Sequence, residues 1–287
     1  YYEGLIKNFP KTSPAALAEA HFLLGRAAFD QGDFQSSISH MSEAKTLDPQ
    51  KYGEQVNVLT VLSYHKLQDV NKLKETLETL QKENPAAVSR VPDVIPAWLG
   101  LQAYGMKDLE TADKYMTWAT QNDQLQNVKK VIWRNLAKVR LALKKYDRAL
   151  VASNNFLKVE DQPYRRADGM LDKASILLGL GKYAEARKTA EEALALGVEG
   201  PLMASLKIVL GDISYAEKKF DEAAKHYGVT AELFVNDAEL KPKALFKAAE
   251  ALDKAGRKSE ASQYRARLQK EFPDWKQEGE SLPPDAR

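Results

Sequence analysis

The chain has 287 residues, of which 44% are apolar and 29% charged, with a formal net charge of +2. That is the composition of a folded globular chain, and the near-neutral balance predicts no general affinity for nucleic acid or acidic lipid. Zero cysteines exclude disulfides, thiol catalysis and thiolate metal sites, and no run approaches the roughly 18 consecutive apolar residues of a membrane helix.

The first element, "YYEGLIKNFP", ends on Phe9-Pro10 and has a counterpart near the far end, "QYRARLQKEFP", ending on Phe272-Pro273. Between them one pattern recurs: a helix with a small residue in its middle, a short turn, an aromatic, Ala three residues on, then a second helix. Clear copies start at His21, Trp133, Met170, Lys207 and Leu245, with weaker ones after Gly53 and Asp93. The anchor positions Ser37, Leu73, Ala112, Ala149, Ala186, Ala223 and Ala261 are 36 to 39 residues apart, a solenoid-scale period. Full repeats are therefore expected at roughly 13–50, 51–87, 88–126, 127–163, 164–199, 200–237 and 238–275 of one solenoid spanning 1–275.

Local signals agree with this frame. Ser13-Pro14 and Gly200-Pro201 mark starts of first helices, where Pro is tolerated. Gly32, Gly181 and Gly256 supply the left-handed residue that ends a first helix. Gly25, Gly100, Ala137, Ala174, Gly211 and Ala249 stand where two helices approach closely. Leu, Ala and aromatics at three-to-four spacing make each helix amphipathic. A lone pair cannot cover its own apolar face, so neighbours stack. On the same reasoning, residues 1–12 read as the second helix of a repeat whose first helix is missing, and the natural chain is expected to extend upstream. The polar, Pro-containing stretch 276–287 reads as a flexible tail.

These residues resemble the tetratricopeptide repeat family. Leu24-Gly25, Ala44 and Pro49 fall at its intervals, with Ser37 in place of the usual Ala. Trp133 and Ala149 do the same in a later copy, with Ala137 for Gly. The resemblance implies an all-α, right-handed superhelical solenoid of antiparallel helix hairpins, about seven repeats plus a half repeat. It further implies a non-enzymatic scaffold for protein–protein interaction, with first helices lining a concave groove. Carried onto this chain, the groove positions are Phe22, Arg26, Phe29, His65, Trp98, Leu101, Tyr104, Arg134, Asn135, Lys138, Asp212 and Tyr215. Asp168, Asp172, Ser175, Phe246, Lys247 and Glu250 complete the set. The aromatics among them are either anchors for a partner or core.

No chemistry competes with that reading. His21, His40, His65 and His226 form neither His-x3-His nor His-Glu-x-x-His, so no metal is expected. "GLGKY" at 179–183 lacks the rest of a phosphate loop. Glu191-Glu192 and Asp221-Glu222 lie next to Lys or Arg and read as solvated faces, not an acid/base pair. No catalytic residue and no cofactor are expected.

One stretch is unusual in charge. Residues 129–148 carry eight basic residues against one acid, Asp147. Lys130, Arg134 and Lys138 share one helix face over about 12 Å. That stripe either grips an acidic segment or carboxylate terminus of a partner, Arg134 bidentately, or pairs with Asp168 and Asp172 of the next repeat. The Lys/Asn clamp by which some family members hold chaperone tails is not matched.

The repeats closing on Phe-Pro also resemble those of bacterial envelope proteins, such as the periplasmic coordinator of the Tol-Pal system and the outer-membrane assembly lipoproteins. That implies a periplasmic or envelope location and membership of a multi-protein assembly, with the cytoplasm as the alternative. Two rival roles stay open: a regulatory or substrate-recruiting domain of a larger enzyme or sensor, and a structural element self-associating through exposed solenoid ends.

Overall fold

The computed structural model describes residues 2–8, 13–121, 126–233 and 238–276. Among them there is no strand; the chain is all-helical, built of consecutive packed helix pairs. No described helix is long and apolar enough to cross a membrane. Phe9-Pro10 and nearly all of the expected tail lie outside the described residues. Contacts divide the chain into two compact units, Tyr1–Val128 and Lys129–Arg287.

In the first unit, α1 (Tyr2–Asn8) packs on α2 (Pro14–Asp30). Three hairpins follow: α2 with α3 (Phe34–Leu47), α4 (Pro49–Lys66) with α5 (Val70–Glu83), and α6 (Val94–Gly105) with α7 (Leu109–Ala119). A short 3-10 helix, Pro85–Arg90, precedes α6. The second unit takes up the chain within α8 (Gln126–Ala142) and continues with α9 (Tyr146–Val159), α10 (Pro163–Gly179) and α11 (Tyr183–Ala195). It ends with α12 (Gly200–Ala216), α13 (Phe220–Leu233), α14 (Leu240–Lys254) and α15 (Lys258–Glu271).

The hairpin turns share one backbone solution. Each first helix ends in a left-handed residue whose successor donates its N–H to the carbonyl five residues back. Asp33 N–H reaches Ala28 C=O at 2.9 Å, and Lys219 N–H reaches Ser214 C=O at 2.8 Å. This closure satisfies carbonyls that a helix end leaves orphaned. The expected glycines hold the position in three turns, Gly32 (φ 82°), Gly181 (71°) and Gly256 (80°). In the other four it is held by Gln68 (56°), Lys107 (62°), Lys144 (57°) and Lys218 (62°), which residue-type signals do not reveal. A Cβ in that region costs about 1–2 kcal/mol, partly offset because Gly loses about 0.5–1 kcal/mol more backbone entropy on folding. Replacing the exposed Lys218 by Gly is therefore expected to stabilise the chain by roughly 0.5–1 kcal/mol. A rise in the urea midpoint at constant slope checks it.

The two units start their second helices differently. In the first, Asp33, Asp69 and Asp108 accept backbone N–H bonds from Ser36, Lys72 and Thr111 at 3.0, 2.9 and 3.2 Å, the usual N-cap. In the second, Lys145, Lys182 and Arg257 occupy that place without a side-chain cap.

Packing follows the small-residue register. All seven anchor positions, Ser37 to Ala261, are completely buried. The first-helix small residues do what the pattern requires: a Cβ on Gly100 would stand 2.9 Å from the Met116 backbone nitrogen, and one on Gly211 2.4 Å from the Tyr227 ring. Larger residues there would overpack the hairpin by typically 1–3 kcal/mol. The first unit's core gathers Val61, Leu73, Leu77, Leu80, Ile95, Leu99 and Tyr115. In the second unit Ala174, Leu177, Ala186, Ala190, Leu206 and Ile213 belong to one extended cluster.

Candidate functional site

The aromatic groove candidates turn out to be packing residues. Phe22 is buried and stacks on Tyr52, ring centres 4.7 Å apart. Phe29 meets Phe34 edge-on at 5.4 Å across its own hairpin turn, and Tyr215 is buried and meets Phe220 the same way at 5.2 Å. His65 sets its ring edge-on to Trp98 at 5.3 Å, and Trp98 packs against the core around Leu99 and Tyr115. Leu101 and Tyr104 are half-buried. Of the first unit's candidates, Arg26 is exposed; with Phe22 it lines a shallow cavity of about 260 Å³ completed by Gln55, Val58, Leu59 and Arg90.

In the second unit the basic stripe is brought together, and it is answered. Arg134 forms an ion pair with Asp168, Lys138 stands 3.9 Å from Asp172, and Lys130 stands 3.4 Å from Asp161. Arg134, Asn135 and Lys138 line one cavity of about 360 Å³ with Lys130, Val131, Phe156, Glu160 and Arg165. Val131 is half exposed there, and Asn135 is held by donating its side-chain N–H to the Val131 carbonyl at 2.9 Å. Arg165 is exposed and makes no ion pair among the described residues.

Asp172 is the electrostatic anomaly of this cluster. Its side chain is 13% exposed, and Oδ2 has no hydrogen-bond partner. Burial pushes its carboxyl up to about 7; Lys138 and Arg134 oppose that, and the neighbouring Asp168 adds to it. At neutral pH Asp172 is therefore partly protonated, which leaves Lys138 only partly neutralised.

Asp212, on the next first helix, has the opposite environment. It accepts from Lys247 Nζ at 2.7 and 2.8 Å and from the Tyr227 hydroxyl at 2.6 Å. Burial, then the Asp212 charge, holds the Tyr227 phenol well above its ordinary range, so it stays a donor. Phe246 packs on Trp275, Glu250 faces Arg265 at 3.4 Å, and Ser175 donates to the Leu171 carbonyl.

The pairing with the next repeat, offered as one reading of the basic stripe, extends along the chain: charged residues one repeat apart answer each other. Lys74 meets Asp108, Lys114 meets Glu78, Arg187 meets Glu222, Lys247 meets Asp212, and Arg257 meets Asp221. Opposite charges recurring at intervals of 34 to 36 residues were the available signal. Among the histidines, His21 and His40 face each other with Nδ1 atoms 3.0 Å apart. No described group of three or more His, Asp or Glu is arranged to hold a metal ion.

Three family models described as tetratricopeptide repeat match residues 18–51, 171–234 and 243–274. No curated protein sequence matches the chain. Among solved structures, the apo form of RapI is similar with a TM-score of 0.55 at 14% identity, covering 91% of this chain and 78% of RapI. A Rap protein complexed with competence and sporulation factor gives 0.54 at 13%, covering 90% and 77%. BtubC (BKLC) from P. vanneervenii gives 0.53 at 18%, covering 77% and 97%. At such identities the likeness is one of fold. Residues 18–51, 171–234 and 243–274 are thus similar to tetratricopeptide repeats, and the described residues form consecutive packed helix pairs.

Proposed function

We propose that the chain is a non-enzymatic scaffold that captures a segment of a partner protein, with the α8 cavity as its seat for an acidic stretch or a C-terminal carboxylate. Tetratricopeptide repeats are generally interaction modules without catalysis, and one structural neighbour is solved with a bound factor. The observation that carries the reading is the composition of that cavity. Lys130, Arg134, Lys138 and Arg165 stand against a single carboxylate, Glu160, which already accepts from the Asp161 and Gln162 backbone N–H groups at 3.0 Å, around an exposed Val131 in a volume suited to one or two side chains. Arg165 and the partly neutralised Lys138 supply the charge a carboxylate would meet, and Val131 the apolar contact.

Crosslinked capture from the native cell tests this. The double variant Val131→Asp, Arg165→Glu is expected to lose at least tenfold in partner recovery with an unchanged circular dichroism spectrum. Both side chains are exposed, so folding is spared; Arg134→Glu with Lys138→Glu should abolish capture too, but also breaks the pairs with Asp168 and Asp172. Undiminished capture by Val131→Asp, Arg165→Glu removes the α8 cavity as the seat. We further propose that the scaffold works in a multi-protein assembly of a bacterial envelope, a reading supported by the Phe272-Pro273 repeat ending and the cysteine-free composition. Recovery of the native protein in the cytoplasmic fraction overturns that placement.

A further inference from the structure

The α8 stripe is the most basic stretch of the sequence, yet each of its three in-line cations has a carboxylate opposite it. Uncompensated positive charge lies elsewhere in the second unit. Helices α9 and α11 both pack on α10, and the three together line a cavity of about 580 Å³. Lys158 reaches it from the last turn of α9, and Arg166 and Lys173 reach it from α10. Neither Lys158 nor Lys173 makes an ion pair among the described residues. The sole carboxylate on the wall is Glu192, which already faces Lys188 at 3.9 Å.

The walls are also prepared for a ligand. Arg166 is fixed in place, its Nη1 donating to the carbonyls of Leu157 at 2.6 Å and Glu160 at 3.3 Å. Those bonds satisfy the end of α9 and hold the guanidinium charge at the cavity edge, where it makes no ion pair among the described residues. Asn154, half-buried on the same wall, has no hydrogen-bond partner among the described residues. Leu157 and Met170 give the cavity apolar surface. Three like charges around one opening repel, and an incoming anion relieves that repulsion.

We propose that this α9–α10–α11 cavity is a second, anion-binding site that receives an acidic stretch of a partner protein. It is separate from the α8 cavity and does not depend on it. The probe is a fluorescein-labelled hexaglutamate peptide titrated with the full chain at low ionic strength and followed by anisotropy. Wild type is expected to bind, and raising the salt to about 0.5 M, where screening acts within a few ångströms, should weaken binding at least tenfold. In the Val131→Asp, Arg165→Glu background, which removes the α8 seat, Lys158→Glu with Lys173→Glu should weaken it at least tenfold at low salt, with unchanged circular dichroism; Lys173→Arg should retain it. That background alone should still bind hexaglutamate, now through this site only, which separates failure here from failure of the α8 seat. No binding in the Val131→Asp, Arg165→Glu background, or equal binding there after Lys158→Glu and Lys173→Glu are added, overturns the site. Full displacement by equimolar inorganic phosphate, or tighter binding of a short single-stranded oligonucleotide, overturns the assignment to a protein segment.

Discussion

Asp212→Ala is expected to destabilise the chain by about 3–5 kcal/mol, the usual consequence of removing one member of a buried ion pair. Lys247 is 4% exposed, and its ammonium has both oxygens of Asp212 within 2.8 Å. Tyr227 is completely buried and gives its hydroxyl proton to the same carboxylate. Deleting the carboxylate strands a charge and a phenol at once, in a knot joining α12, α13 and α14. The charge itself is not required for the fold: Asp212→Leu with Lys247→Met and Tyr227→Phe replaces the polar knot by apolar groups and should recover most of the loss. Urea unfolding of the three proteins decides it. A wild-type midpoint for Asp212→Ala means that water reaches Lys247, and the network is then ornamental.

That network shows where sequence reading stopped. The period, the buried anchors from Ser37 to Ala261, and the close approaches at Gly100 and Gly211 were legible because each depends on the size of one residue at one phase. The four turns closed by Gln68, Lys107, Lys144 and Lys218 were not, because a left-handed residue with a side chain is carried by the surrounding hairpin and leaves no mark in residue type. The same limit governs the site. A groove position gives a side chain's direction along its helix, but its burial depends on the neighbouring helix. So Asp212 and Tyr215 point inward and are consumed by packing, while Arg134, Asn135 and Lys138 share a cavity wall. The cations of the α9–α10–α11 cavity were passed over because they come from two helices, and no local run of charge announces them. What marks a site in this repeat architecture is a charge that lacks its answering residue one repeat away.

Asp172→Asn is expected to stabilise the chain, and only on the alkaline side. The folded carboxyl stands at about 7 against 3.8 for a solvated one, so the folded chain holds this proton more tightly than the unfolded chain does. The stability contributed by Asp172 is complete below about pH 4 and is lost as pH rises through 7. Asparagine keeps the shape of the neutral acid at every pH. Its advantage should therefore be near zero at pH 4 and reach on the order of 4 kcal/mol above pH 8, from a shift of about three pKa units. Burial lowers His21, His65 and His226, and these act in the opposite sense, removing stability as pH falls below about 6.5. They are common to both proteins and cancel in the difference, so urea midpoints of variant and wild type at pH 4.5, 7 and 8.5 isolate Asp172. A difference that does not change with pH means that the carboxylate is solvated and Oδ2 has water for a partner. If the difference grows as expected, Lys138 is freed in Asp172→Asn at all pH, and in wild type only as Asp172 takes up its proton. Wild-type capture of an acidic partner through the α8 cavity should then tighten from pH 8 to pH 6, while capture by Asp172→Asn stays level over the same range.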